Sequence, residues 1–150
     1  MKKLFLLLTI TFLGLTANAQ EIKWMSFNEA IAAQKKEAKP IFMDAFTDWC
    51  GPCKMLDKNT FSDAKVIEYI NKNYYAVKFD AEGNEEINYK GTKYTNPGYN
   101  SERKGRNATH DFTMFLRIPG YPSMVIFGTK GDVTKVIVGY QTPQQLLQQI

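Results

Sequence analysis

The chain has 150 residues, 44% of them hydrophobic and 13% aromatic, and a formal charge of +4. That length buries one core without covalent staples, and the small basic excess, about +2 without Lys2 and Lys3, gives no case for nucleic-acid binding. Two cysteines and one histidine fall short of the four ligands of a structural zinc site, and no metal is expected.

The N-terminus reads as an export signal. Met1-Lys2-Lys3 is basic, and Leu4 to Leu15 is apolar apart from Thr9, Thr11 and Gly14. Ala17-Asn18-Ala19 is an Ala-x-Ala cleavage site. The expected division is a signal peptide over residues 1–19 and a folded domain over residues 20–150. The apolar run is short for a membrane span, and no Cys follows it to take a lipid. No stable membrane insertion is therefore expected after cleavage, the competing reading being an uncleaved anchor. The expected location is the periplasm or another exported site of a bacterial cell envelope, where disulfides persist. A chain sent there with only two cysteines keeps both sulfurs for function.

Ser26-Phe27-Asn28-Glu29 is a capping-box pattern and predicts a helix to about Glu37, burying Phe27, Ala30, Ile31 and Ala33. Pro40 blocks helix and starts an apolar strand through Phe46. A helix carrying Cys53, Met55, Leu56 and Lys58 follows. Ser62 then reads as the cap of another helix, with Val66, Ile67, Tyr69 and Ile70 at helical spacing. Tyr74–Asp80 is the next strand. Residues 81–109 are polar and rich in Gly, Asn and Tyr, and His110–Leu116 reads as a short helix. Ser123–Phe127 and Val133–Val138 are strands joined through Gly128-Thr129-Lys130-Gly131-Asp132, a hairpin signal. Thr142 and Pro143 open a last helix.

The chemistry is concentrated in Trp49-Cys50-Gly51-Pro52-Cys53-Lys54, which holds both cysteines between a strand and a helix. Unpaired backbone N–H groups and the dipole at a helix start favour a thiolate, the form that attacks a disulfide. The pattern therefore points to thiol–disulfide exchange, with Cys50 attacking and Cys53 resolving. The plainer reading is a structural disulfide, but a loop this short stabilises little. Cys53 is expected to be the more buried sulfur and to need a proton acceptor. Asp44 interrupts an apolar strand behind the motif and is the candidate; otherwise it is an ordinary strand-end carboxylate.

With these residues the chain resembles the thioredoxin superfamily. The hexapeptide is of the thioredoxin type, Asp44 matches the buried aspartate six residues before it, and Lys78 matches the lysine that pairs with that aspartate. Gly120-Tyr121-Pro122-Ser123 matches the cis-proline loop. Lys39-Pro40 and Thr60-Phe61-Ser62-Asp63 resemble the C-terminal periplasmic domain of DsbD-type thiol transporters and related small secreted proteins. The resemblance implies an α/β thioredoxin-like sandwich, a central mixed β-sheet flanked by helices. The sequence departs from that pattern between Lys78 and Pro122, a stretch longer than the family minimum, with an insertion at about residues 84–107 before the cis-proline loop.

The resemblance assigns catalytic roles to Cys50, Cys53, Asp44 and Lys78. Trp49, Gly51, Pro52, Tyr121 and Pro122 would contact substrate, with the backbone of Tyr121 pairing with an extended client segment. Trp49 has core packing as its plainer role. The redox-active disulfide Cys50–Cys53 would serve without any other cofactor. No His stands between the cysteines, as it does in strong oxidants of the superfamily, so the expected direction is reduction of protein disulfides. A membrane thiol transporter would supply electrons to a monomer. The alternatives are a net oxidase or isomerase, and a non-enzymatic binding module or chaperone.

The insertion places Lys90, Lys93, Arg103, Lys104 and Arg106 among Tyr89, Tyr94 and Tyr99, opposed within that stretch only by Glu102. It reads either as a solvated surface loop or as a docking loop beside the active site. His110 reads as a cap or surface residue rather than a base.

Overall fold

The computed structural model describes residues 20–150; the signal segment expected over 1–19 lies outside the described residues. Trp24–Met25 forms a short strand, β1, and Ser26 then starts α1 (Phe27–Lys36). Both halves of the capping box are present. The Glu29 N–H donates to Ser26 Oγ at 3.2 Å, and the Ser26 N–H donates to the Glu29 carboxylate at 2.8 Å. Phe27 and Ala30 are buried, whereas Ile31 and Ala33 are only partly so.

Strand β2 (Ile41–Phe46) leads into α2 (Gly51–Asn59), α3 (Ala64–Asn73) and β3 (Tyr75–Asp80). The cap of α3 is Asp63, not Ser62: the Asp63 carboxylate accepts from the N–H groups of Lys65 and Val66. Ser62 is used by the preceding turn, its hydroxyl donating to the Lys58 carbonyl at 2.5 Å. Residues 81–109 are less irregular than their polarity predicts. They hold a small hairpin of β4 (Ile87–Tyr89) and β5 (Thr92–Tyr94), turned at Lys90 and Gly91, both at positive φ. Ile87 and Tyr89 are buried. Lys90 and Lys93 pair with Asp132 and Glu86, acids outside the basic stretch. The chain continues through α4 (Asp111–Phe115), β6 (Ser123–Phe127), β7 (Val133–Val138) and α5 (Pro143–Leu147). His110 is fully buried as the cap of α4: its Nδ1 accepts from the Phe112 N–H at 3.0 Å, and Nε2 lies 2.7 Å from the Glu85 carbonyl.

The sheet order is β1-β3-β2-β6-β7. β1, β3 and β2 run parallel, and β6 and β7 are antiparallel to their neighbours. Alternation along β2 decides what lies on each face. Ile41, Met43 and Ala45 join Val77, Phe79, Val125 and Phe127 against α1, α4 and the hairpin. Phe42 joins Ala76, Met124 and Ile126 against α2, α3 and α5. Asp44 shares the parity of Phe42 and faces α2, the helix that carries the cysteines. Its register partner on β3 is Lys78. No helix among the described residues is long and apolar enough to cross a membrane.

Candidate active site

The chain leaves β2 in a turn closed by the Cys50 N–H donating to the Thr47 carbonyl at 3.1 Å. Cys50 is the N-cap of α2, and its sulfur accepts from the Cys53 N–H at 3.2 Å. Gly51 and Pro52 fill the first two helical positions, where the missing N–H of proline removes no intrahelical bond. Cys50 and Cys53 form a disulfide with their Cα atoms 5.3 Å apart. Gly51 and Pro52 are exposed, while Cys50 and Cys53 are 3% and 2% exposed. The expected difference in burial between the sulfurs is therefore not present in this oxidised form.

Beneath the helix, Asp44 is fully buried. Its Oδ2 accepts from Lys78 Nζ at 2.8 Å, and its Oδ1 has no hydrogen-bond partner among the described residues. Burial pushes the Asp44 carboxyl up to about 6, with Lys78 opposing the shift and the Asp57 charge adding to it. Lys78 also binds Asp57, a half-exposed carboxylate on α2. Its ammonium lies 5.1 Å from the ring centres of Trp24 and Phe46 and 5.2 Å from that of Phe61. Asp57 was not singled out from the sequence. Its signal was available: it follows Cys53 by one helical turn and so lies on the same helix face.

On the other side of the disulfide, the Trp49 ring meets the Tyr121 ring edge-on, with centroids 6.0 Å apart. The Tyr121–Pro122 peptide is cis. Neither the N–H nor the C=O of Tyr121 makes a backbone hydrogen bond among the described residues. Burial, with the charges of Glu82 and Asp80, raises the Tyr121 phenol above its ordinary value. Trp49 Nε1 donates to Glu82 Oε2 at 2.8 Å, and the Asn107 N–H donates to the same oxygen at 2.7 Å. The Arg106 guanidinium lies 4.2 Å from the Trp49 ring centre. The structure thus joins Asp44 to Lys78 beneath the helix that carries Cys50 and Cys53, and joins Trp49 to Tyr121, whose peptide bond to Pro122 is cis. It adds Asp57, Glu82 and Arg106, whose side chains converge only through tertiary folding.

A family model described as a thioredoxin-like domain matches residues 27–150. The thiol:disulfide interchange protein DsbD of Campylobacter jejuni is 30% identical over 112 residues, 75% of this chain and 16% of that protein. The chain therefore spans a small part of the length of the curated relatives it matches. DsbD of Citrobacter koseri is 46% identical over 41 residues, 27% of this chain and 7% of that protein. Among solved structures, a candidate disulphide-isomerase from Bacteroides thetaiotaomicron superposes with a TM-score of 0.59 at 28% identity, covering 88% of this chain and 93% of that one. A thioredoxin from Thermus thermophilus superposes with a TM-score of 0.62 at 14% identity, covering 86% and 84%, which speaks to the fold alone.

Proposed function

The chain belongs to the thioredoxin-like domain family, and from that membership we propose that it is an exported thiol–disulfide oxidoreductase that reduces protein disulfides through Cys50 and Cys53. The observation that carries this reading is the position of the pair. Cys50 is at once the cap of α2 and half of a disulfide, so the helix start that holds the bond also favours the thiolate left when it opens.

In the reduced protein the Cys50 thiolate attacks one sulfur of a client disulfide. The client S–S bond breaks, a Cys50–client bond forms, and the departing client thiolate takes a proton. Cys53 then loses its proton and attacks Cys50 Sγ, displacing the second client thiolate and forming Cys50–Cys53. Two electrons pass to the client. Asp44, as a carboxylate on the strand behind the motif, takes the Cys53 proton in this reading, which is supported by an Oδ1 without a hydrogen-bond partner among the described residues while Oδ2 accepts from Lys78. Clients lie along Tyr121, whose backbone groups are open to an added strand.

The uncharged Gly51-Pro52 pair supports a reducing couple, since nothing between the cysteines stabilises the thiolate by charge. A dithiol donor must then re-reduce the protein, and a membrane thiol transporter is the proposed source. The similarity to DsbD domains supports that pairing. The similarity to the Bacteroides protein favours disulfide isomerisation as the second reading. Equilibration with glutathione tests the direction. A potential below roughly −200 mV is expected, whereas a value near about −120 mV, that of a strong oxidant, overturns the reductase reading. Repair of a substrate with mismatched disulfides, without net reduction, would select the isomerase.

A further inference from the structure

We propose that Arg106 is a specificity-determining residue that receives a carboxylate of the client beside the disulfide under attack, so that the protein prefers disulfides flanked by Asp or Glu. The inference rests on the thiol-exchange reading above and names a client class for it. Arg106 lies over Trp49, the residue next to Cys50. A guanidinium stacked on an indole keeps its in-plane N–H donors at its edge, where a carboxylate can take two of them.

Those donors are unclaimed. Arg106 forms no ion pair among the described residues, while Lys90 and Lys93 each have one and Lys78 has two. Its neighbour Arg103, also without an ion pair among the described residues, lines a cavity of about 100 Å³ together with Asp48, Asp80 and Glu82. An exposed arginine ordinarily sweeps through solvent and presents no fixed site. Here the guanidinium rests on the Trp49 ring, and hydrogen bonds hold the loop that carries it. Glu82 ties Asn107 to Trp49 by accepting from both. The Asn107 amide group closes the loop at both ends, accepting from the Asn100 N–H and donating to the Asn100 carbonyl. Asn96 fastens the far side through the Gly83 and Ala108 carbonyls. Gly105, at φ 86°, supplies the left-handed residue just before Arg106. The backbone entropy of presenting a cation over Trp49 is therefore lost on folding rather than on binding.

The test uses two disulfide-bonded peptides that differ only in Glu or Gln beside the reacting cysteine. The parent, Arg106→Gln and Arg106→Lys are compared by the ratio of kcat/KM for the two peptides. At low salt the parent should favour the Glu peptide about three- to tenfold, mainly through KM, as one charge-assisted contact at an exposed site allows. The ratio should fall towards one in Arg106→Gln and remain intermediate in Arg106→Lys, which keeps the charge but not the fork. It should also shrink as salt rises. A parent ratio of one, or an unchanged ratio in Arg106→Gln, overturns the proposal. Reduction of a small aromatic disulfide tests thiol exchange separately. If the parent lacks that activity, the functional reading fails and the client preference fails with it. If that activity is present and the ratio is one, only the client preference is lost.

Discussion

Asp44 and Lys78 face each other across adjacent parallel strands, and one carboxylate oxygen takes the ammonium while the other has no partner among the described residues. The pair is held from both ends. Asp44 is buried under α2, and Lys78 is gripped by Asp57 and surrounded by Trp24, Phe46 and Phe61. A buried carboxylate with one oxygen unpaired among the described residues is costly for stability.

Asp44→Asn should slow release of the mixed disulfide while leaving the first attack by Cys50 largely intact. The loss is on the order of ten- to a hundredfold, the lower range for a positioned proton-transfer group. In the parent, release should rise with pH through about 6 as Asp44 becomes a carboxylate, and the variant should lack that step. Rapid mixing that separates attack from release is the measurement, and equal release rates across the pH range would remove Asp44 from the proton path.

Stability should respond to the same group in the opposite sense. The folded value of Asp44, about 6, lies above the ordinary 3.8, so the native state binds this proton more tightly than the unfolded chain does. The resulting stabilisation is complete below about pH 4 and is lost as the pH rises through 6, amounting to about 3 kcal/mol for this group alone. Denaturant melts of the oxidised protein should show the decline, and Asp44→Asn should flatten it and be the more stable protein at neutral pH.

Asp57→Asn should move the release inflection to lower pH. Asp57 competes for Lys78, and its own negative charge disfavours ionisation of Asp44. Removing it leaves Lys78 wholly to Asp44. The pH profile of release reads the shift, and a profile that stays in place would show that Asp57 only anchors the helix.

The two cysteines should separate cleanly by substitution. Cys50→Ser should abolish turnover, and Cys53→Ser should accumulate client joined to Cys50, seen as mixed disulfides on non-reducing gels. Full activity in Cys50→Ser would reverse the assignment of attacking and resolving sulfur.

Glu82→Ala should release the loop from Trp49. One carboxylate oxygen serves two donors, so its loss leaves the Trp49 indole and the Asn107 amide unpaired, at about 1–3 kcal/mol. Amide exchange at Asn107 should accelerate, and protease should cut within 98–106 faster than in the parent.

Local signals made much of this fold legible. The Ser26 and Thr142 caps, the Pro40 strand start and the apolar run of β6 are written in neighbouring residues. Ser62 misled because two good capping residues stand side by side, and the turn after Phe61 takes one of them. The hairpin at 87–94 was hidden because its strands are three residues long and its turn uses Lys90-Gly91 rather than Asn-Gly. His110, read as a cap or surface residue, is a cap in the interior, beneath a segment whose polarity suggested solvent. At the site, the motif and Asp44 were visible as breaks in pattern. The Glu82–Trp49–Asn107 link joins residues far apart in sequence, and no periodicity connects such positions.

The hairpin and loop lie in one excursion of the chain, between its departure from the sheet at Asp80 and its return at Ser123. Residues 84–107 somewhat more than double the length of that excursion. Loop-closure entropy grows only logarithmically, about 0.6 kcal/mol per doubling, and buried Ile87 and Tyr89 work against that loss. The strands that hold Asp44 and Lys78, and the one that follows Pro122, therefore keep their register at little cost from the length of the excursion. Evolution can rewrite the exposed part of this segment, outside buried Ile87 and Tyr89, without disturbing the sheet it springs from.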